Sequence, residues 1–260
     1  MSIDSIGQDA SVAWAITEDG RRFAGELLIG ADGYRSVVRR AVAPERPDAR
    51  FAGYVIWIGI AREADLDHPS PWPTRFVYDE ANGYILLGSP LPAEDGSMRP
   101  GERRLGWAMY DAGRNDLLRR LGAVKGNVVH HTLLSHEIPK ETFEGFGRST
   151  QFWREPWRSA MRDCVKRRAV IGTPIAEYLP DTLINGRLCL VGDAAHVPTP
   201  MTANGFSSSL DDALSLGAAL AQGVEPDQAL RSYEADRLPI VRRIVQSGQD
   251  FSRRYAAGRV

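Results

Sequence analysis

Two aspartates in this chain each follow a short apolar run and sit beside glycine. The first lies in Gly30-Ala31-Asp32-Gly33, after Leu27-Leu28-Ile29. The second lies in Gly192-Asp193-Ala194-Ala195-His196, after Leu188-Cys189-Leu190-Val191. Glycine lets a strand turn sharply and brings backbone close to a ligand. In α/β sheets ligands bind at the carboxyl ends of strands. A carboxylate delivered there can accept hydrogen bonds from sugar-like hydroxyls, with no metal and no proton transfer. Taken alone, the first segment also reads as an ordinary Asp-Gly turn. The second is longer and more specific. Pro198 and Pro200 stiffen its loop, and Asn204-Gly205-Phe206 leads into a helix. A helix N-terminus presents unpaired N–H groups and the positive end of the helix dipole, which suits an anion or a ring that becomes anionic on reduction.

The elements that must position these turns are legible to different degrees. Ala10 to Ile16 and Arg22 to Leu27 flank Asp19-Gly20 and predict a hairpin. Glu26 to Ile29 predicts a buried strand, and Ser36 to Val42 a helix stopped by Pro44. Phe51 to Ile60 is rich in β-branched and aromatic residues. Arg75 to Tyr78 and Tyr84 to Leu87 flank Glu80-Ala81-Asn82-Gly83 and predict a hairpin with a slightly longer loop. With Leu105 to Tyr110 they give an antiparallel sheet. Short helices are expected over Arg114–Leu121 and Ser159–Arg168. Arg187 to Val191 predicts a strand. From Phe206 the apolar residues Leu210, Ala213, Leu214, Gly217, Ala218 and Ala221 recur on one face of an amphipathic helix that Gly223 can stop. One or two further helices follow from Pro226 to Tyr255, broken or kinked at Pro239.

The chain has 260 residues, 43% of them hydrophobic, enough for one large domain or two small ones. A net charge of −1 with 25% charged residues gives no electrostatic case for nucleic acid or an anionic membrane as the main partner. The longest apolar stretches, such as Val55 to Ala61, are too short to span a bilayer. Met1-Ser2-Ile3-Asp4-Ser5 has neither a basic nor an apolar leader region, and two cysteines make no disulfide framework, so cytoplasmic residence is expected. His130, His131 and His136 have no cysteine or carboxylate at metal-ligand spacing and read as partly exposed histidines. Lys166-Arg167-Arg168 reads as a solvated face. The tryptophans read first as core, though one or two could line a pocket.

The two turn segments together resemble the paired fingerprints of the single-component flavoprotein aromatic hydroxylases, the class that includes para-hydroxybenzoate hydroxylase. The first fingerprint, G-A-D-G-x-x-S-x-V-R, is matched at all seven fixed positions by Gly30 to Arg39. The second, G-D-A-A-H followed by prolines, a glycine-containing turn and a helix with Asp-Ala, is matched by Gly192 to His196, Pro200, Gly205 and Asp212-Ala213. Phe51 to Trp57 and Asn82-Gly83-Tyr84 are similar to the dihydroxypyridine hydroxylase branch.

The resemblance implies an α/β fold: an incomplete Rossmann-like FAD-binding domain with an inserted, mostly antiparallel β substrate-binding domain and C-terminal helices. The implied division is 1–50 and 169–260 for the FAD-binding part and 51–168 for the substrate-binding sheet. It implies FAD as cofactor and NAD(P)H as co-substrate. It implies hydroxylation of a small aromatic or heteroaromatic ring with O2 through a flavin hydroperoxide, and it is compatible with a homodimer. By the same resemblance Asp193, after Gly192, binds the ribityl chain. Ala203, Asn204, Gly205 and Phe206 bring N–H groups to the pyrimidine edge, and Pro200 lies beside the ring edge where oxygen reacts. Asp32 and Gly33 lie near the diphosphate, and Arg39 either supports that loop or makes a structural ion pair. Thr202 and Ala203 stand where relatives often carry glycine, and Ser207 where they carry asparagine. No G-x-G-x-x-G turn precedes Asp32. Poor FAD retention and stability are therefore expected of the chain by itself. The alternatives are a truncated, inactive or partner-dependent fragment of the same family, or a reductase- or halogenase-type relative.

Overall fold

The computed structural model describes residues 3–67 and 71–258. Along the chain run β1 (Ile3–Gln8), β2 (Ala13–Thr17), β3 (Arg22–Gly25), β4 (Leu28–Gly30), α1 (Val38–Val42), β5 (Arg50–Arg62), β6 (Val77–Ala81), β7 (Tyr84–Leu91) and β8 (Arg104–Asp111). Then follow α2 (Asn115–Arg120), β9 (Val124–Lys125), β10 (Val128–Val129), α3 (Lys140–Ser149), α4 (Trp157–Lys166), β11 (Val170–Glu177), β12 (Ile184–Asn185), β13 (Leu188–Leu190), α5 (Gly205–Leu220) and α6 (Pro226–Ala256). The mixed α/β architecture with antiparallel sheets and C-terminal helices is the expected one.

Two compact units result. The first comprises residues 1–52 and 176–253, the second residues 53–175 and 254–260. The chain therefore leaves the second unit at Ile175/Ala176, where the sequence reading placed the change at 168/169, because β11 is a strand that pairs with β5. The last turn of α6 likewise belongs to the second unit.

In the first unit β4 and β13 lie side by side and parallel, with Leu28 opposite Leu188 and Gly30 opposite Leu190. β12 adds antiparallel to the other edge of β13, while β1, β2 and β3 form a separate antiparallel sheet. The core of this unit gathers Val38, Val42, Leu183, Leu188, Cys189, Leu190, Leu216, Leu230, Tyr233 and Val241. Two residues turn where a longer apolar side chain could not. Gly30 lets Val38 close down on the end of β4, since a Cβ there would lie 2.6 Å from Val38 Cβ. Gly192 has φ +60°, in the left-handed region.

α5 forms where its periodicity predicts, but its apolar stripe is the exposed side. Phe206, Leu210 and Leu214 are 84%, 51% and 64% exposed, while the buried residues are Ser208, Asp212, Leu216 and Ala219. The helix is held by a buried polar network described below, and the polar side wins the interior. α6 is one helix of 31 residues with Pro239 inside it, not two.

The second unit is built on a seven-stranded sheet in the order β6-β7-β8-β5-β10-β9, with β11 also paired to β5. Asn82 and Gly83, at φ 52° and 78°, form a two-residue turn between the paired residues Ala81 and Tyr84, tighter than the expected loop. Three of its indoles lie on glycines. A Cβ on Gly59 would sit 2.5 Å from Trp107, and one on Gly88 2.6 Å from Trp157, while Gly172 lies under Trp57. The missing side chains are the space these rings fill. Trp57 also donates Nε1–H to Asp111 Oδ2 at 3.2 Å. Glu63 and Arg103 form a buried ion pair at 2.8 Å.

Candidate functional site

The two aspartate turns emerge from the C-terminal ends of neighbouring parallel strands. The Val191 N–H donates to Gly30 O at 3.0 Å, so the two turns start from one hydrogen-bonded rung. Asp32 closes the first turn on itself. Its Oδ2 accepts from the N–H groups of Val37 at 2.6 Å and Val38 at 3.3 Å, and its Oδ1 accepts from Ser36 Oγ at 2.5 Å. The carboxylate thus caps the first turn of α1, which is a shaping role. Gly33, at φ +78°, has open space where a side chain would stand.

Arg39 joins the two turns. It is 1% exposed, and its guanidinium meets backbone carbonyls rather than carboxylates. Nε donates to Pro47 O at 2.7 Å, and Nη1 to Asp193 O at 3.2 Å and Ala194 O at 3.0 Å. Nη2 donates to Tyr34 O, and the cation lies 4.2 Å from the centroid of the Tyr178 ring. Arg39 is the support for the loop, and the ion-pair alternative does not occur.

Asp193 itself points outward, exposed at the surface but crowded enough by neighbouring atoms that desolvation raises its carboxyl pKa, against the pull of His196 and Arg39. The loop after it is pinned from inside. His196 is fully buried, and its Nε2 lies 2.8 Å from Asp212 Oδ2, which also accepts the Gly192 N–H at 2.8 Å. Asp212 Oδ1 accepts from Arg237 Nε at 2.9 Å. Burial alone would raise the Asp212 carboxyl. The hydrogen bonds and charge of His196, Arg237 and the Gly192 N–H outweigh it and hold the group below the usual carboxylate range. A depressed carboxylate contributes stability that is complete above its unfolded pKa, about 3.9, and is lost as pH falls through its folded value. Acid unfolding followed by circular dichroism should therefore steepen below about pH 4, and Asp212→Asn should flatten that slope. An unchanged slope would refute the assignment.

The loop ends in Pro200–Thr202, a single 3-10 turn, and in Ala203 at φ +52°. Ala203 occupies left-handed space that disfavours a Cβ by roughly 1 kcal/mol. Ala203→Gly should raise stability by at most about 0.5 kcal/mol, after allowing for the added freedom of the unfolded chain, and thermal melting measures it. A fall in melting temperature would show that the Cβ makes a compensating contact. Asn204 then starts α5 with no side-chain cap, and no acidic residue stands in its first turn. Gly205 has open space beside it. An uncapped, uncharged helix start at the end of a rigid loop is free to receive an electron-rich group.

Comparison with known proteins bears on the same segments. Residues 166–248 match the FAD binding domain family. The chain is 25% identical over 235 residues to 2,6-dihydroxypyridine 3-monooxygenase of Paenarthrobacter nicotinovorans, covering 90% of this chain and 58% of that one. It is 28% identical over 248 residues to an FAD-dependent urate hydroxylase of Klebsiella pneumoniae, covering 92% and 54%. Over most of its length the chain is thus similar to FAD-dependent aromatic hydroxylases. It superposes on the solved 2,6-dihydroxypyridine-3-hydroxylase of Arthrobacter nicotinovorans with a TM-score of 0.77 at 23% identity, over 99% of this chain and 64% of that one. It superposes on Klebsiella pneumoniae HpxO complexed with FAD and uric acid with a TM-score of 0.71 at 23% identity, over 98% and 58%. The chain spans a little over half the length of these dihydroxypyridine and urate enzymes.

The structure brings Asp32, Gly33, Arg39, Gly192 and Asp193 together at the C-terminal ends of two adjacent strands, and sets Pro200, Ala203, Asn204, Gly205 and Phe206 along the loop and first turn of α5. The residues that sequence reading missed are Arg237 and Ser208. Arg237 stands in an otherwise apolar helix position, in step with the buried Leu230, Tyr233 and Val241, whereas Ser208 lies on the polar side of α5. Among the described residues no group of three or more His, Cys, Asp or Glu side chains is placed to hold a metal ion, and His131 instead lies 3.3 Å from Glu137. No described helix is long and apolar enough to cross a membrane.

Proposed function

We propose that this chain acts in an FAD-dependent monooxygenase that hydroxylates a small aromatic or heteroaromatic ring with NAD(P)H and O2. The observation that carries the reading is the pair of aspartate turns on adjacent parallel strands, braced to each other by Arg39. The site's donors and acceptors fit FAD: an outward carboxylate at Asp193, open space at Gly33 and Gly205, and an uncapped helix start. Asp193 would accept hydrogen bonds from ribityl hydroxyls. The backbone from Ala203 to Phe206 would offer N–H groups to the pyrimidine edge, Pro200 would border the reactive edge, and the Asp32-Gly33 turn would face the diphosphate. Bound FAD supplies the two-electron chemistry and the activation of oxygen. The chain's own residues supply placement, charge complement and exclusion of water. The cytoplasm, where reduced nicotinamide is renewed, is the compartment this chemistry suits.

The test is the visible spectrum of the purified protein after incubation with FAD and desalting. The natural sequence, even if it retains only part of the flavin, should retain more than Asp193→Ala, with circular dichroism unchanged. Equal retention by both would overturn the assignment of Asp193.

One observation favours a second reading, that flavin retention requires a further strand–turn–helix element. The apolar stripe of α5 lies open, and β4 pairs on one side only among the described residues. Co-expression with a G-x-G-x-x-G segment from a relative should then raise flavin retention, and no gain would sink this reading.

A further inference from the structure

We propose that α6 positions the cofactor loop, with Arg237 fixing its start and Gly248 seating its end. The proposal rests on the function above for what the loop holds. One stretch of α6 carries Tyr233, Glu234 and Arg237. Tyr233 and Arg237 are four residues apart on one helix face. Tyr233 Oη donates to Leu190 O, the last residue of β13, at 2.8 Å. Glu234 Oε1 accepts from Thr182 Oγ1 and from the Leu183 N–H, both at 2.6 Å. Arg237 Nε donates to Asp212 Oδ1 at 2.9 Å, and Nη2 to Ser208 O and Oγ at 3.2 Å each. Asp212 passes that restraint on, because its second oxygen holds the Gly192 N–H and the His196 ring. The His196 ring is held through Nε2 alone, because its Nδ1 is buried with no hydrogen-bond partner. Three turns further along α6, Gly248 has no side chain where the loop crosses it. A Cβ there would lie 2.7 Å from Thr199 Cγ2 and 3.2 Å from Thr202 Cγ2. The loop from Gly192 to Ala203 is therefore gripped at both ends by one helix, although neither Arg237 nor Gly248 lies in either fingerprint.

The pairing decides the loop's freedom more than the fold of the unit. Amide hydrogen exchange separates the two. In Arg237→Met the amides from Gly192 to His196 should exchange about 100-fold faster, as expected when a buried charge pair is broken, while those of β2 in the same unit keep their rates. FAD should bind about 10-fold or more weakly, with a shifted flavin absorption band. Arg237→Lys keeps a cation beside Asp212 but cannot also reach Ser208, and should restore part of both effects. It also serves as the probe if Arg237→Met does not fold. Gly248→Ala should shift the flavin band while the Gly192 amide stays protected. Acceleration spread evenly over β2 and the loop, or none at Gly192, would overturn the proposal. If the natural sequence binds no FAD, the functional reading fails, and the exchange comparison still decides the positioning role.

Discussion

Arg39→Met should lower the stability of the unit formed by residues 1–52 and 176–253 by about 3–5 kcal/mol, the loss expected when a buried hydrogen-bonded charge is removed from its partners. Methionine matches the length of the stem but leaves the carbonyls of Pro47, Asp193, Ala194 and Tyr34 without their donor. Each orphaned buried acceptor costs about 1–3 kcal/mol, and relaxation of the two turns recovers part of it. The cation over Tyr178 is lost as well. Arg39→Lys should rescue little, because one ammonium cannot serve carbonyls in three directions. Urea melts followed by far-ultraviolet circular dichroism measure the effect, and flavin retention should fall with it. A loss below about 1 kcal/mol, the scale of a single ordinary hydrogen bond, would mean the turns hold their shape without the brace.

Glu63→Leu should destabilise the second unit by a similar amount, and by more than Arg103→Met. The two changes break the same ion pair but leave different orphans. Glu63 accepts four hydrogen bonds: from the Gly101 N–H at 2.7 Å, the Arg103 N–H at 3.2 Å, and Arg103 Nε at 3.2 Å and Nη2 at 2.8 Å. Removing it strands a buried guanidinium and two backbone donors, about 3–5 kcal/mol. Removing Arg103 leaves the carboxylate its two backbone donors, and the loss should be nearer 2 kcal/mol. The double variant should be less destabilised than the sum of the singles, because the coupling lies within one network. Equal losses for the two singles would show that the backbone donors find water instead.

Much of this was legible in the chain because the signals are local. The strand-glycine-aspartate pattern located both turns, and Asn82-Gly83 located a hairpin. The long amphipathic pattern located α5. What periodicity did not reveal is which side of α5 turns inward. Phe206, Leu210 and Leu214 look like a core face, yet Ser208 and Asp212 are buried in their place. That choice depends on Arg237, which is 25 residues beyond Asp212 in sequence, and no short window contains both. A trace of it exists: Arg237 falls in helical step with the buried Leu230, Tyr233 and Val241, and an arginine in a core position calls for a buried acid. β11 was missed because Pro174 and Gly172 interrupt its pattern, and it joins its sheet through β5, far back in the chain.

The tryptophans seated on glycines make the protein its own optical gauge. Of the six, Trp57, Trp72, Trp107, Trp153 and Trp157 lie between residues 53 and 175, and only Trp14 lies in the other unit. Trp57, Trp107, Trp153 and Trp157 are buried, so their emission should be blue and should redden only when that unit opens. Loss of far-ultraviolet signal with no reddening beyond that of the half-buried Trp14 would then report melting of the unit formed by residues 1–52 and 176–253 alone, and a single sample could resolve the two transitions.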